Sequence, residues 1–407
     1  YKRQDPRILM DADQLIEIGP GAGKEGGRIV TQGTPLEAEK NPHSLIGPYL
    51  SGKESLKVRS RATEKDMFEN GSIRIKTKPF YTVQALDVSI PKGRMIAVTG
   101  VSGSGKTSLA IECLVPALQA VIQGTKLPEH VDSIEAKGIQ SVKVIDSKPI
   151  GANVRSTVAT YDGVFDDLRK LFARTADAKA KGLTAGDFSY NTGKLRCPVC
   201  DGTGIITMDV QFLPDVDTIC PSCGGSRYGK DAYDILWKSK EKDSVSVSLP
   251  GLLKLTVEEA AGILHEETKI AKQLKILQDL GVCYLMLGEA TPALSGGEAQ
   301  RLKLAYEMET PQQGSVFVFD EPTIGLHPQD VKKLVLIFDH LIQLGATVIV
   351  IEHDLELVTN CDYIIDMGPW GGTEGGRVVV EGTPEAVAAT SESITGRYLK
   401  QELAEAQ

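Results

Sequence analysis

Several stretches of this sequence combine residue types and spacings suited to phosphate and metal chemistry. Gly100-Val101-Ser102-Gly103-Ser104-Gly105-Lys106-Thr107-Ser108 follows an apolar run, Met95-Ile96-Ala97-Val98-Thr99, and precedes Leu109-Ala110-Ile111-Glu112-Cys113-Leu114. An apolar strand, a glycine-rich turn, Lys-Thr and a helix make a P-loop. Glycines let backbone N–H groups approach phosphate oxygens, and the helix N-terminus adds unpaired donors and partial positive charge. Lys106 is expected to reach the β- and γ-phosphates of ATP, and Thr107 to ligate Mg²⁺. A second stretch, Val316-Phe317-Val318-Phe319, is apolar and ends in Asp320-Glu321-Pro322. Burying that strand leaves both carboxylates at its C-terminal end, where α/β sheets place ligands. Asp320 is expected to hold Mg²⁺ through water, and Glu321 to act as general base on the attacking water. A further apolar strand, Thr347–Ile351, ends in Glu352-His353-Asp354; there His353 is placed to hydrogen-bond a γ-phosphate and sense its loss.

The third stretch is Cys197-Pro198-Val199-Cys200 and Cys220-Pro221-Ser222-Cys223, with 19 residues between the pairs. That spacing is a zinc pattern, and glycine after each pair suits a tight knuckle. Four thiolates close a tetrahedral shell, so Zn²⁺ here is structural and not catalytic. Arg227, Tyr228 and Lys230 stand beside it as candidate contacts to a DNA backbone. A fourth motif, Leu294-Ser295-Gly296-Gly297-Glu298-Ala299-Gln300-Arg301, starts a helix with a capping box between Ser295 and Glu298. Its glycines expose a second anion-binding helix end.

The elements that must position these groups read as strands and helices of an α/β protein. The chain has 407 residues, room for two or three domains. Its 41% hydrophobic and 24% charged residues are ordinary for a globular protein. A net charge of −9 argues against nucleic-acid binding by the whole surface and leaves it to local basic patches. One such patch is Arg169, Lys170, Arg174, Lys179, Lys181, Lys194 and Arg196, which reads equally well as a solvated charged face. No apolar run is long enough to span a membrane, so no membrane partner is expected. Seven cysteines with two Cys-x-x-Cys pairs suit a reducing, cytoplasmic setting.

Strands are expected at Val83–Ile90 and Val142–Ile145, and the charged stretch 53–78 reads as a linker plus an edge strand around Ser72–Ile75. Tyr81 either stacks on adenine or simply packs. Helices are expected over Val164–Ala173, from the Thr256–Glu259 capping box to about Leu264, and over Lys269–Leu280.

Residues 13–50 recur at 362–399 without a gap, with roughly 17 of 38 positions identical. Gly19-Pro20 matches Gly368-Pro369, Glu25-Gly26-Gly27-Arg28 matches Glu374-Gly375-Gly376-Arg377, and Gly33-Thr34-Pro35 matches Gly382-Thr383-Pro384. Each copy reads as a strand, a glycine-rich turn, a second strand and a closing helix. The first copy has no P-loop before it, which leads us to expect an earlier nucleotide domain in a longer parent chain.

The Leu294–Ala305 segment, followed by Asp320-Glu321-Pro322, looks like the signature of ABC-type ATPases, which binds the γ-phosphate held by a partner domain. Together with Gly100–Thr107, the four-cysteine insertion between P-loop and signature, Asp320–Pro328 and the repeated Gly-Pro…Glu-Gly-Gly-Arg ending, it resembles the UvrA family over nearly the whole chain. The resemblance implies an ABC-type P-loop ATPase domain with an inserted helical region and a four-cysteine zinc module. The implied segments are 1–58 as the tail of a preceding ABC domain, 59–150 as the P-loop lobe, 151–285 as the insertion with zinc at about 195–230, 286–399 as the signature, Walker B and His-switch part, and 400–407 as a tail. In the implied nucleotide site, Gly100–Ser108, Asp320 and Ser295–Glu298 bind ATP, while Lys106, Glu321 and His353 act in hydrolysis. Gly325-Leu326-His327 would enter a loop that packs across the nucleotide-domain dimer.

The implied function is the ATP-dependent DNA-binding subunit of the UvrABC excinuclease, which recognises damage in nucleotide excision repair. Implied partners are damaged double-stranded DNA, a second ABC domain in the same parent chain, a second copy of the protein and a UvrB-like helicase. One position departs from the family pattern: Ser147 in Asp146-Ser147-Lys148-Pro149-Ile150-Gly151 stands where the family usually has Gln. Two rival readings therefore stay open: a UvrA-like paralogue acting in drug resistance without lesion recognition, and a nucleotide-binding module that hydrolyses little by itself.

Overall fold

The computed structural model describes residues 6–21, 26–52, 59–208, 216–239, 245–308, 310–324 and 326–405. Two compact units emerge: Tyr1–Ser147 with Thr310–Gln407, and Lys148–Glu309. This division groups the helix Gly296–Met308 with the insertion and ends the first unit at Ser147. Among the described residues no helix is long and apolar enough to cross a membrane.

The first unit is built on a six-stranded sheet. Its strands are β1 Met95–Gly100, β2 Ser141–Ile145, β3 Ser315–Asp320, β4 Thr347–Ile351, β5 Tyr363–Gly368 and β6 Arg377–Gly382. They lie in the order β6-β5-β1-β4-β3-β2, parallel throughout except for the antiparallel β5–β6 pair. β1, β3, β4 and β5 are buried along nearly their whole length, as expected of parallel strands covered on both faces. One face packs Ile96, Val98, Val316, Val318, Ile349 and Ile351 against Leu109, Cys113, Leu114 and Leu118 of the helix after the P-loop. On β3, Phe317 and Phe319 stack, and Phe319 meets Phe338 of the helix Pro328–Gln343 at 4.4 Å. The register sets Gly100 beside Met367 and Asp320 beside Ile351, so the expected site residues fall at one C-terminal edge.

A three-stranded antiparallel sheet adjoins it, ordered Asp87–Pro91, Ser72–Thr77, Val131–Glu135. Ser72–Thr77 is its central strand and not an edge, because Val131–Glu135 pairs with it across a long sequence gap. The strand expected from Val83 starts only at Asp87. Phe80 and Val83 exchange backbone hydrogen bonds in a tight turn that holds Tyr81 at φ 51°, largely exposed.

Both repeat copies fold alike. Leu15–Gly19 pairs with Arg28–Gly33 as β5 pairs with β6, each with a register shift at the corresponding position. Glu17 accepts from Ser44 Oγ and the N–H groups of Leu45 and Ile46, while its counterpart Asp366 accepts from Ser393 Oγ and Thr395 Oγ1. Thr34 and Thr383 each cap the following helix. Asp366 also accepts from Thr99 Oγ1 at 2.9 Å, which ties the closing helix to the end of β1. The repeat is thus one of side-chain network as well as of sequence. Glu25 and the linker residues 53–58 lie outside the described residues.

The start of β1 is fixed by a buried ion cluster. Arg59 meets Asp339 at 2.8 Å and Asp362 at 3.1 Å, and donates to Asn360 O. Asp362 accepts in turn from the N–H groups of Met95 and Ala62. Arg59→Met strands a fully buried carboxylate and is expected to cost about 3–5 kcal/mol. Urea unfolding checks this as a lower midpoint at unchanged slope.

The second unit is mostly helical, with Val164–Ala173, Val257–Ile263, Thr268–Asp279 and Gly296–Met308 as its principal helices. Its described residues also include two antiparallel strand pairs, Ile205–Met208 with Val216–Ile219 and Leu236–Lys238 with Ser246–Ser248. The Thr256 capping box forms as its sequence requires, with Thr256 and Glu259 each bonding the other's backbone N–H.

Candidate nucleotide site and zinc module

β1 delivers the chain to the P-loop at Gly100. Gly100, Gly103 and Gly105 all have positive φ, so each glycine serves a backbone turn that other residues resist. A Cβ at Gly100 would stand 2.0 Å from Met367 O, so the loop leaves β1 pressed against β5. Lys106 Nζ donates to Gly100 O and Val101 O at 2.9 and 3.0 Å, lying along its own loop. Burial pulls the Lys106 ammonium below its ordinary pKa, against the opposing charges of Glu321, Asp366, Asp320 and Glu352. Thr107 is exposed, and the helix begins in a wide-turn segment, Ser108–Leu114, before Val115–Gln123. Ser104 is fully buried and its Oγ has no partner among the described residues.

Glu321 follows β3 with φ 46°, an uncommon conformation for a side chain of its size, and its N–H bonds Ile351 O. His353 Nδ1 lies 3.9 Å from Glu321 Oε1 and 3.6 Å from Glu352 Oε2. Glu321 and His353 are both partly open to solvent, whereas Glu352 is fully buried. Glu352 accepts from Thr323 N–H, Thr323 Oγ1, His353 N–H and Asp354 N–H. One carboxylate so locks the loop after β3 to the turn after β4, and through them sets Glu321 against His353. Sequence reading assigned Glu352 no role, since a charged residue at a strand end looks like its neighbours until the turn across the sheet is known. His327 caps the helix Pro328–Gln343 through Nδ1, and burial pulls its pKa down. Gly325 lies outside the described residues.

A second contribution missed in sequence is the glycine turn of the second repeat copy. Gly372 N–H donates to Gly103 O and Gly376 N–H to Ser104 O, both at 3.1 Å. A Cβ at Gly371 would meet Ser102 O at 2.6 Å, and one at Gly376 would meet Thr82 O at 1.6 Å. The turn therefore braces the P-loop from below, backbone on backbone. The signal was present as Gly371-Gly372…Gly375-Gly376, but it was legible only as a repeat.

In the second unit the signature residues form their cap. Ser295 N–H donates to Glu298 Oε2 at 2.7 Å and Glu298 N–H to Ser295 Oγ at 3.4 Å. Burial alone would raise the Glu298 carboxyl, but donors from Tyr284 and Ser295 hold it below the usual carboxylate value. Ser295 and Gly296 are exposed and Gly297 partly so, which leaves the helix end open to a ligand.

Cys197, Cys200, Cys220 and Cys223 converge, with all four Sγ atoms within 4.8 Å of one another. Sγ pairs stand at 4.0 Å (Cys197–Cys220) and 3.7 Å (Cys200–Cys223). Burial would push the Cys197 thiol up, but N–H groups of Cys200 and Val199 bring it down to about 7. Cys223 is pushed up to about 12 by burial and by the neighbouring thiols. The donor set, its number and its closeness fit a tetrahedral Zn²⁺ that removes the protons from all four.

Around this module the expected DNA contacts divide. Arg227 and Tyr228 are buried, at 6% and 1% exposure, so neither reaches a phosphate backbone, while Lys230 is exposed. In the basic stretch, Arg169, Lys170, Lys181, Lys194 and Arg196 face Asp166, Asp167, Asp234, Asp187 and Asp201. Those charges are partly neutralised within the unit.

No family model matches the chain. Over 405 residues it is 42% identical to UvrABC system protein A of Staphylococcus aureus (strain COL), covering 98% of this chain and 41% of that protein. UvrABC system protein A of Aquifex aeolicus (strain VF5) is 42% identical over 403 residues, with 98% of this chain and 42% of that protein covered. The crystal structure of UvrA2 from Deinococcus radiodurans superimposes with a TM-score of 0.88 at 37% identity, covering 98% of this chain and 47% of that one. Along nearly its whole length this chain is UvrA-like, and it spans about two fifths of the curated UvrA proteins that it matches.

Proposed function

We propose that this chain is the ATPase-bearing part of a DNA-damage-recognition subunit of a UvrABC excinuclease. The observation that carries the reading is the convergence of P-loop, Asp320, Glu321 and His353 at one sheet edge in a chain that is UvrA-like throughout. Gly100–Ser108 cradle the phosphates of ATP with backbone N–H groups, and Lys106 swings from its own loop carbonyls to the β- and γ-oxygens. Thr107 and Asp320 hold Mg²⁺, which neutralises charge on the phosphates when bound. Glu321 orients the attacking water and takes its proton, and His353 contacts the γ-phosphate. Ser295–Glu298 present a capped helix end to the γ-phosphate held by a partner domain, either the second ABC domain of a longer parent or a second copy. Cys197, Cys200, Cys220 and Cys223 hold a structural Zn²⁺ that shapes the insertion for duplex DNA, and a UvrB-like helicase is the partner that receives the lesion. Localisation follows as cytoplasmic.

Ser147 favours a second reading. A serine is too short to reach as far as the glutamine usual there, so hydrolysis is coupled differently to the insertion in a UvrA-like paralogue without lesion recognition. Gel-shift titration with damaged and intact duplex, with and without ATP, separates the two. Preference for the damaged duplex supports repair; equal affinity supports the paralogue.

The brace under the P-loop gives a further expectation. Gly371→Ala pushes on Ser102 O and is expected to weaken ATP binding about tenfold or more, since small displacements of a preorganised site are costly. Gly372→Ala has open space around its Cβ, although its φ is +67°, and serves as the control. Equal ATP affinity in the two variants contradicts the bracing role.

A further inference from the structure

The buried guanidinium of Arg227 has no place in the nucleotide chemistry and no access to DNA. It is 6% exposed, and its Nη1 has no hydrogen-bond partner among the described residues. Leaving a buried charge unpaired is costly, so such a group needs a counter-charge. Its backbone and stem lie against the four-cysteine cluster. The backbone of Arg227 is built into the knuckle: its carbonyl accepts from Cys197 N–H at 2.9 Å. A Cβ at Gly204 would stand 3.2 Å from Arg227 Cγ, so the missing side chain there lets the arginine stem lie against the turn. Gly204 N–H donates to Cys200 Sγ at 3.3 Å, which puts that turn directly on a thiol. On the other side the guanidinium lies 5.2 Å from the centroid of the fully buried Tyr190 ring. Arg227 holds φ 71°, an unfavourable backbone for a long side chain, so the fold commits to this placement.

We propose that Arg227 is the internal counter-charge of the four-cysteine site. Zn²⁺ bound by four thiolates is a net dianion, and placing it in a buried module is unfavourable unless a cation shares the burial. Arg227 supplies a cation that never deprotonates, stacked on Tyr190 and anchored by its own backbone carbonyl to Cys197. It is a positioning and charge-balancing residue, not a ligand.

The test uses the whole chain and measures Zn²⁺ affinity by competition with a chromophoric chelator, for the parent, Arg227→Met, Arg227→Gln, Arg227→Lys and Arg155→Met. Arg155 is the control: a nearby arginine whose partners are Asp201 and Asn191. Arg227→Met and Arg227→Gln are expected to weaken Zn²⁺ binding about 10- to 100-fold, the range for outer-shell partners, and Arg227→Lys and Arg155→Met about threefold or less. Far-UV circular dichroism at saturating zinc reports whether each variant folds. If Arg227→Met does not fold, the Gln and Lys variants carry the same comparison. Parent-like zinc affinity in the neutral variants overturns the proposal. So does an equal loss in Gln and Lys, because packing and not charge would then be at work.

Discussion

Replacing Glu321 with Gln is expected to reduce ATP turnover by about 10²- to 10⁴-fold, the usual contribution of a positioned general base. ATP affinity should stay within about threefold of the parent, because the proposed site binds ATP through the P-loop and Lys106 and an amide is nearly isosteric with the carboxylate. The expectation comes from position. Glu321 stands at the end of a fully apolar strand, its backbone at φ 46°, with His353 Nδ1 3.9 Å from its carboxylate. Single-turnover hydrolysis of pre-bound ATP separates the chemical step from nucleotide exchange. A variant that turns over normally takes Glu321 out of the mechanism. Glu352→Gln is expected to follow the same direction more weakly, since it removes charge from the carboxylate that four donors address without touching the phosphates.

The second large effect is expected at the cysteine cluster. Cys220→Ala should abolish stoichiometric zinc binding, because structural zinc at four thiolates contributes about 10–16 kcal/mol at neutral pH and an incomplete shell forfeits much of it. Among the described residues the apolar cluster here consists of Cys197, Cys200 and Cys220, with Ile206 and Cys223 packed against them. So little apolar surface cannot hold a hairpin in place, and the Ile205–Met208 and Val216–Ile219 strands should lose amide protection. The six-stranded sheet has its own core in Ile96, Val98, Val318, Ile349 and their neighbours, and should stay protected. Hydrogen exchange resolves the two regions in one experiment. Full protection of the hairpin in a zinc-free variant contradicts a metal-held module.

Much of this arrangement was legible in the sequence because its signals are local. The P-loop turn needs glycines at fixed offsets, and Gly100, Gly103 and Gly105 indeed carry positive φ. Capping boxes at Thr256–Glu259 and Ser295–Glu298 were read from a three-residue spacing and form as expected. The repeat could be aligned without a gap, and Glu17 and Asp366 anchor the same kind of network. What escaped depends on contacts between distant segments. Ser72–Thr77 becomes a central strand only because Val131–Glu135 returns to it. Arg227 reads as a surface cation in sequence, yet the knuckle wraps it. Glu352 and the Gly371–Gly376 turn gain meaning only when the ends of β3 and β4, or of β1 and β5, are side by side.

The most direct test of the central claim is equilibrium binding of Mg-ATP to the parent chain and to Lys106→Ala. Saturable binding by the parent, weakened about 100-fold or more in the variant, is predicted from the charge-assisted contacts that Lys106 gives the phosphates. A parent chain that does not bind ATP, or a variant that binds it equally well, contradicts the account.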